Sequence, residues 1–247
     1  MALCFYSHIF NRAAVTFADG IESQNVVGYS VLDTADPNVM LGVQFSAIGS
    51  NSSGVYIKDI QGDFEEEDEL QFAYTDDDGL IQFNVYTYFT ADGGMVDEDG
   101  WYNGDFEAVG NELLPIGGAM WFFTSSGDAK AATMLGQITE EPIIRTFSEA
   151  NNMICGGFPV AFNPNSEDVS WSGLSEEDEI QVAYTDSDGL IQFTVYTYFT
   201  ADGGMVDEDG WYDGDFSKVE SPIVEVGQGF WLFPQEAVTL TEISPLK

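Results

Sequence analysis

The residues best equipped for chemistry in this chain are carboxylates. Asp and Glu number 43 against six Lys and Arg, for a net charge of −37. They gather in short runs punctuated by glycine. Asp76-Asp77-Asp78-Gly79 and Asp97-Glu98-Asp99-Gly100 resemble fragments of D-x-D-G loops, in which hard oxygen ligands surround Ca²⁺. Asp76, Asp78, Asp97 and Asp99 are therefore candidate metal ligands, with Asp186, Asp188, Asp207 and Asp209 as their copies later in the chain. Register excludes an EF-hand, because its first ligand would fall on Tyr74 or Met95 and its twelfth on Val85 or Phe106. The competing reading is that Asp and Gly simply favour turns. No organic cofactor is expected, and Ca²⁺ is the candidate ion.

Other catalytic constellations fare worse. His8 is the single histidine and precedes every strand-like segment, so a Ser-His-Asp or Cys-His arrangement lacks its base. Histidine-based zinc sites fail for the same reason. Cys4 and Cys155 are too isolated for a disulfide framework, and Cys155 in its apolar run reads as a small buried residue. A carboxylate pair could run glycoside hydrolysis, but 43 candidates leave no pair singled out. Gly117-Gly118 and Gly227-Gln228-Gly229 lack the lysine of a phosphate loop.

Aromatic residues offer a further possibility. Tyr86, Tyr88, Trp101 and Tyr102, repeated as Tyr196, Tyr198, Trp211 and Tyr212, stand beside carboxylates. An exposed ring can stack on a sugar while neighbouring carboxylates accept its hydroxyls. The alternative is a protein contact, either between repeats or with another subunit.

The charge narrows the partners. So negative a surface repels nucleic acid and anionic lipid. No apolar run approaches the length of a transmembrane helix, so membrane insertion is not expected. A solvated coat, divalent-cation binding and a cationic partner remain as uses for the acid.

These residues are positioned by an internal repeat. Glu69–Phe106 and Glu179–Phe216 lie 110 positions apart and differ at five of 38 positions. Within them, Ile81–Phe89 alternates Ile81, Phe83, Val85 and Phe89 with Gln82, Asn84, Tyr86 and Tyr88, the pattern of a half-buried strand. The first set is expected to face the core and the tyrosines the outside. Leu70–Tyr74 precedes it across an Asp/Gly turn, so the two make a hairpin. Further strands are expected at Asn25–Leu32, Met40–Phe45, Ala119–Phe123, Ala132–Ile138 and Val238–Ile243. Ser46–Ile60 reads largely as loop, and at most a single helical turn is expected, near Ser148–Asn152 or Glu176–Glu179.

The fold class is therefore all-β, with two tandem sandwich or barrel-like repeats packed together. Residues 19–139 would form the first and 140–247 the second, joined at Glu140-Glu141-Pro142. Residues 1–18 read as a secretory-leader-like segment or an N-terminal edge strand.

Asn25–Tyr29 (NVVGY), Asp178–Val182 (DEIQV), Gly210–Asp215 (GWYDGD) and Gly227–Trp231 (GQGFW) together resemble a group of secreted bacterial tandem β-repeat proteins. The resemblance implies export and an all-β repeat; it implies no activity. The resulting expectation is a non-enzymatic, secreted or surface-located structural or interaction protein. Its partner would be a second copy or a surface protein. A carbohydrate-binding module is the alternative, and a carboxylate-pair hydrolase the third reading.

Overall fold

The structure is a computed structural model and describes residues 26–33, 38–49, 53–76, 78–128, 130–148 and 151–246. The leader-like segment, His8, Cys4 and Asp77 lie outside the described residues. In the first half the strands are β1 (Val26–Asp33), β2 (Asn38–Gly42), β3 (Gly54–Tyr56), β4 (Ile60–Gly62), β5 (Glu69–Thr75), β6 (Ile81–Phe89), β7 (Gly100–Tyr102), β8 (Leu113–Pro115), β9 (Ala119–Phe123) and β10 (Ala131–Ile138). In the second they are β11 (Ile143–Phe147), β12 (Asn152–Cys155), β13 (Val169–Ser172), β14 (Glu179–Thr185), β15 (Ile191–Phe199), β16 (Gly210–Tyr212), β17 (Gly229–Phe233) and β18 (Val238–Glu242). The protein is all-β, with antiparallel pairing throughout these sheets.

The two halves use one plan. A five-stranded sheet runs β2-β9-β5-β6-β7 in the first and β12-β17-β14-β15-β16 in the second. The hairpin register repeats at the same offset: Leu70 faces Tyr86, and Ile180 faces Tyr196. A three-stranded sheet covers each: β1-β10-β4, then β11-β18-β13. The opening strand of each half thus pairs with that half's closing strand. The first half also pairs β3, which lies inside the stretch expected to be loop, with β8. Helical structure among the described residues is limited to the 3-10 turns Ile57–Asp59, Ala91–Gly93 and Ala201–Gly203, so none forms at Glu176–Glu179, and the turn expected near Ser148–Asn152 falls partly outside the described residues.

Each half buries its own core. In the first, Leu41, Leu70, Met120 and Phe122 of the larger sheet pack with Ala132 and Met134 of the smaller. In the second, Ile154, Ile180, Phe230 and Leu232 pack with Val238 and Leu240. Because side chains alternate across a strand, the other face of each five-stranded sheet carries a second apolar set. There Met40, Ala119 and Trp121 meet Met153 and Trp231 in a third cluster that joins the halves.

This junction has reciprocal geometry. Gly42 N donates to Gly227 O at 2.7 Å, and Cys155 N donates to Gly117 O at 2.9 Å. Such an exchange is the mark of an isologous, two-fold contact. Near its centre the equivalence must break. A Cβ on Gly42 would lie 2.5 Å from Cys155 Cβ, so one of these facing positions must be glycine. Arg145 clasps the seam. Its guanidinium donates to Gly117 O of the first half and to Cys155 O and Glu242 of the second.

Candidate functional site

The acidic turns are built by their own carboxylates. In the β5–β6 turn, Asp76 Oδ1 accepts from the N–H groups of Asp78 (3.1 Å) and Leu80 (2.8 Å), and Oδ2 from Gln82 Nε2 (2.9 Å). Asp186 repeats all three contacts with Asp188, Leu190 and Gln192. These donors favour the ionised form, so Asp76 is held below the ordinary aspartate pKa, chiefly by the Leu80 N–H. The Leu190 N–H does the same for Asp186.

The second acidic loop is braced differently. Asp99 Oδ1 accepts from Ala91 N at 2.8 Å, and Asp209 Oδ1 from Ala201 N at 2.8 Å. Glu66 Oε2 takes Thr90 N and Oγ1, and Glu176 does so for Thr200. Asp97 and Asp207 lie exposed on the same loops. The turn and the loop sit at opposite ends of β6, whose nine residues span roughly 30 Å. Asp76 and Asp78 therefore share no ion with Asp97 and Asp99. Among the described residues, no group of three or more His, Cys, Asp or Glu converges in metal-binding fashion.

The expected strand faces are inverted. Leu70 is fully buried, and its cross-strand partner Tyr86 lies on the same face, turned toward the core with Tyr88. Trp101 and Trp211 are 4% and 1% exposed and Tyr212 is buried, so these are not surface rings. Tyr102, Tyr196 and Tyr198 are half-buried, the last two against the second core. The physical reason is the amphipathic phenol: the ring fills the core while the hydroxyl reaches the edge. Tyr86 OH donates to Glu112 Oε2 at 2.5 Å, and burial together with that carboxylate pushes its pKa up to about 12. Tyr102 and Tyr212 donate to the carbonyls of Glu98 and Glu208 in the acidic loops. Period-2 alternation locates the strand but not which side is inward. The pairing of Leu70 with position 86 is the signal that decides it.

The outward residues are the apolar ones. Phe83 and Val85 are exposed, as are Phe193 and Val195, with Tyr74, Leu80, Tyr184 and Leu190 at the hairpin tips. Phe83 and Phe193 are each 40% exposed. Phe83, Val85, Phe193 and Val195 continue the plane of the cluster that joins the halves, whereas Tyr74 and Tyr184, paired with Gln82 and Gln192, stand on the opposite face. Val85 is paired to Gln71, Gln71 to Trp121, and Phe83 reaches Trp231 of the other half edge-on, centroids 6.5 Å apart. The result is two equivalent apolar faces, one per half, each bounded by an acidic turn.

A pair of buried aspartates is absent from the candidates above. Asp68 and Asp178, at the foot of each hairpin, are fully buried. Asp68 accepts from Glu65 N, Ser125 N and Lys130 Nζ, the last at 2.7 Å. Asp178 accepts from Ser175 N and Gln235 N. Burial alone would lower the Lys130 pKa, but hydrogen bonds from its ammonium to Asp68 and Glu65 outweigh this and raise it. These aspartates anchor loops, and in sequence they hide within an acidic run. Cys155 is fully buried, as expected, and burial pushes its thiol up to about 12.

Comparison of the chain with family models, with curated proteins and with solved structures finds no match.

Proposed function

We propose that the protein is a non-enzymatic structural protein that assembles with copies of itself through the faces of its two hairpins. The observation that carries this reading is the continuity of those faces with the interface already joining the halves. Phe83, Val85, Phe193 and Val195 lie on the strand faces that are covered further along by Trp121 and Trp231. Exposed apolar patches of this kind mark contact sites. Two equivalent faces let each chain meet two others, which suits extended assembly over a closed dimer.

The acidic coat opposes this contact until it is screened. At −37, self-repulsion dominates at low ionic strength and weakens as the Debye length falls from about 30 Å at 0.01 M to about 3 Å at 1 M. Asp78 and Asp188 flank the tips and would be brought together by assembly. Divalent cations should therefore promote it beyond their ionic strength. The leader-like residues 1–18 and the acidic coat support a location outside the cell.

Sedimentation velocity across NaCl and CaCl₂ series tests the proposal. The wild type should associate as salt rises, more steeply with Ca²⁺, and Phe83→Ser with Phe193→Ser should abolish association. A wild type that stays monomeric in every condition, or a double variant that associates equally, refutes it.

A further inference from the structure

The halves diverge beside Trp211. A cleft of about 320 Å³ opens there in the second half, walled by Pro164, Val169, Trp171, Leu174, Tyr198 and Trp211, with Asp209 at its edge. This is near the lower end of the range for small-ligand sites, roughly 300–1,000 Å³. In the first half the residue 110 positions before Leu174 is Phe64. Its ring stands 5.0 Å from Trp101, 5.6 Å from Tyr88 and 5.7 Å from Phe122, filling the space beside that tryptophan. By strand register the counterpart of Trp171, which pairs with buried Leu240, is Ile60, which pairs with buried Met134. The ring beside the tryptophan thus shifts from Phe64 in one half to Trp171 in the other, and a cleft opens where Phe64 would stand.

The cleft is rigid and selectively supplied. Trp171 stands 5.5 Å from Trp211, and its Nε1 is committed to Pro164 O. Asn165 is fully used in holding β16, donating to Trp211 O and Val219 O and accepting from Trp211 N. Two polar groups remain at the cleft and one behind it. Asp209 spends Oδ1 on Ala201 N, leaving Oδ2. The Tyr198 hydroxyl makes no hydrogen bond to the described residues. Behind the wall, Trp211 Nε1 is buried and has no acceptor among the described residues, an uncommon state for a buried donor. The surroundings are anionic: Asp209, Glu176 and Asp178 all act on Tyr198, with Lys218 opposing them.

We propose that this cleft binds a neutral sugar. Ring faces of Trp171 and Tyr198 suit the C–H face of a pyranose. Asp209 Oδ2 accepts one sugar hydroxyl and the Tyr198 hydroxyl donates to another oxygen, while Trp211 Nε1–H, sealed from solvent behind the wall, reports on the site without touching the sugar. The negative field rejects acidic sugars and phosphates. This proposal stands apart from assembly, since none of its residues belongs to the exposed hairpin faces.

The test is an NMR titration of the full chain, following the Trp211 indole N–H, assigned by its loss in Trp211→Phe. D-glucose, D-galactose, D-mannose and N-acetyl-D-glucosamine are each added to about 50 mM, enough to saturate a millimolar site. At least one should shift the resonance saturably. Leu174→Phe, which puts into the cleft the ring that Phe64 supplies in the first half, should weaken binding about tenfold or more, equivalent to about 1.4 kcal/mol. Asp209→Asn keeps the Oδ1 contact, loses the charge, and should weaken it similarly; an unchanged amide spectrum shows that either variant is folded. No shift with any of the four sugars overturns the proposal. So does undiminished binding in both variants, or an equal response to tetramethylammonium, which would make the cleft a cation site.

Discussion

The contact between Gly42 and Cys155 makes the pseudo-symmetry testable. The two positions face each other, and a Cβ at 42 would meet Cys155 Cβ at 2.5 Å and Sγ at 2.8 Å. Backbone hydrogen bonds of 2.7 and 2.9 Å on either side prevent the strands from parting. Gly42→Cys should therefore overpack the seam and cost about 2 kcal/mol. Cys155→Gly removes a fully buried side chain and adds backbone entropy to the unfolded state, again costing about 2 kcal/mol. Independent effects would sum to about 4 kcal/mol. If the axis is two-fold, the double variant moves one side chain across it and restores the packing, leaving a deficit of about 1 kcal/mol or less. Urea denaturation in reducing buffer measures this from the midpoints, provided the slope is unchanged. A double variant as unstable as the sum would refute the equivalence of the two environments.

Two further outcomes follow from the buried and bonded acids. Lys130→Met leaves Asp68 buried without its cation and should cost about 3 kcal/mol in urea melts, part of it recovered by adding Asp68→Asn; a loss below about 1 kcal/mol would mean that water replaces the lysine. Asp76 and Asp186 are held ionised by backbone donors, so their folded pKa is depressed and their stabilisation is present above the unfolded value. That stabilisation fades as pH falls through the folded value; carboxyl NMR titration should place both midpoints below the ordinary aspartate value of about 3.9, and midpoints at or above it would contradict the turn geometry.

Much of the architecture was legible in the chain. The 110-residue offset, the hairpin about Asp76–Gly79 and the limits of β6 and β9 follow from alternation and turn chemistry, which are local properties. β7, β11 and β13 were not legible: three to five residues long, they are strands only because a partner strand satisfies them. Asp76 and Asp186, candidate ligands by sequence, cap their own turns through backbone hydrogen bonds. No sequence pattern distinguishes these two roles, because both need an acid beside a glycine.

The amino-acid sequence by itself determined the strand content, the duplication and the acidic exterior. Tertiary structure decided which face of each hairpin is inward, since period 2 is blind to side and only packing against a second sheet chooses one. It brought Gly42 onto Cys155 across a two-fold seam, a contact between positions 113 apart. It also turned the change from Phe64 to Leu174 into an opening beside Trp211. A smaller side chain leaves a cleft only where its neighbours cannot collapse, and here Asn165 and Pro164 hold both tryptophans in place.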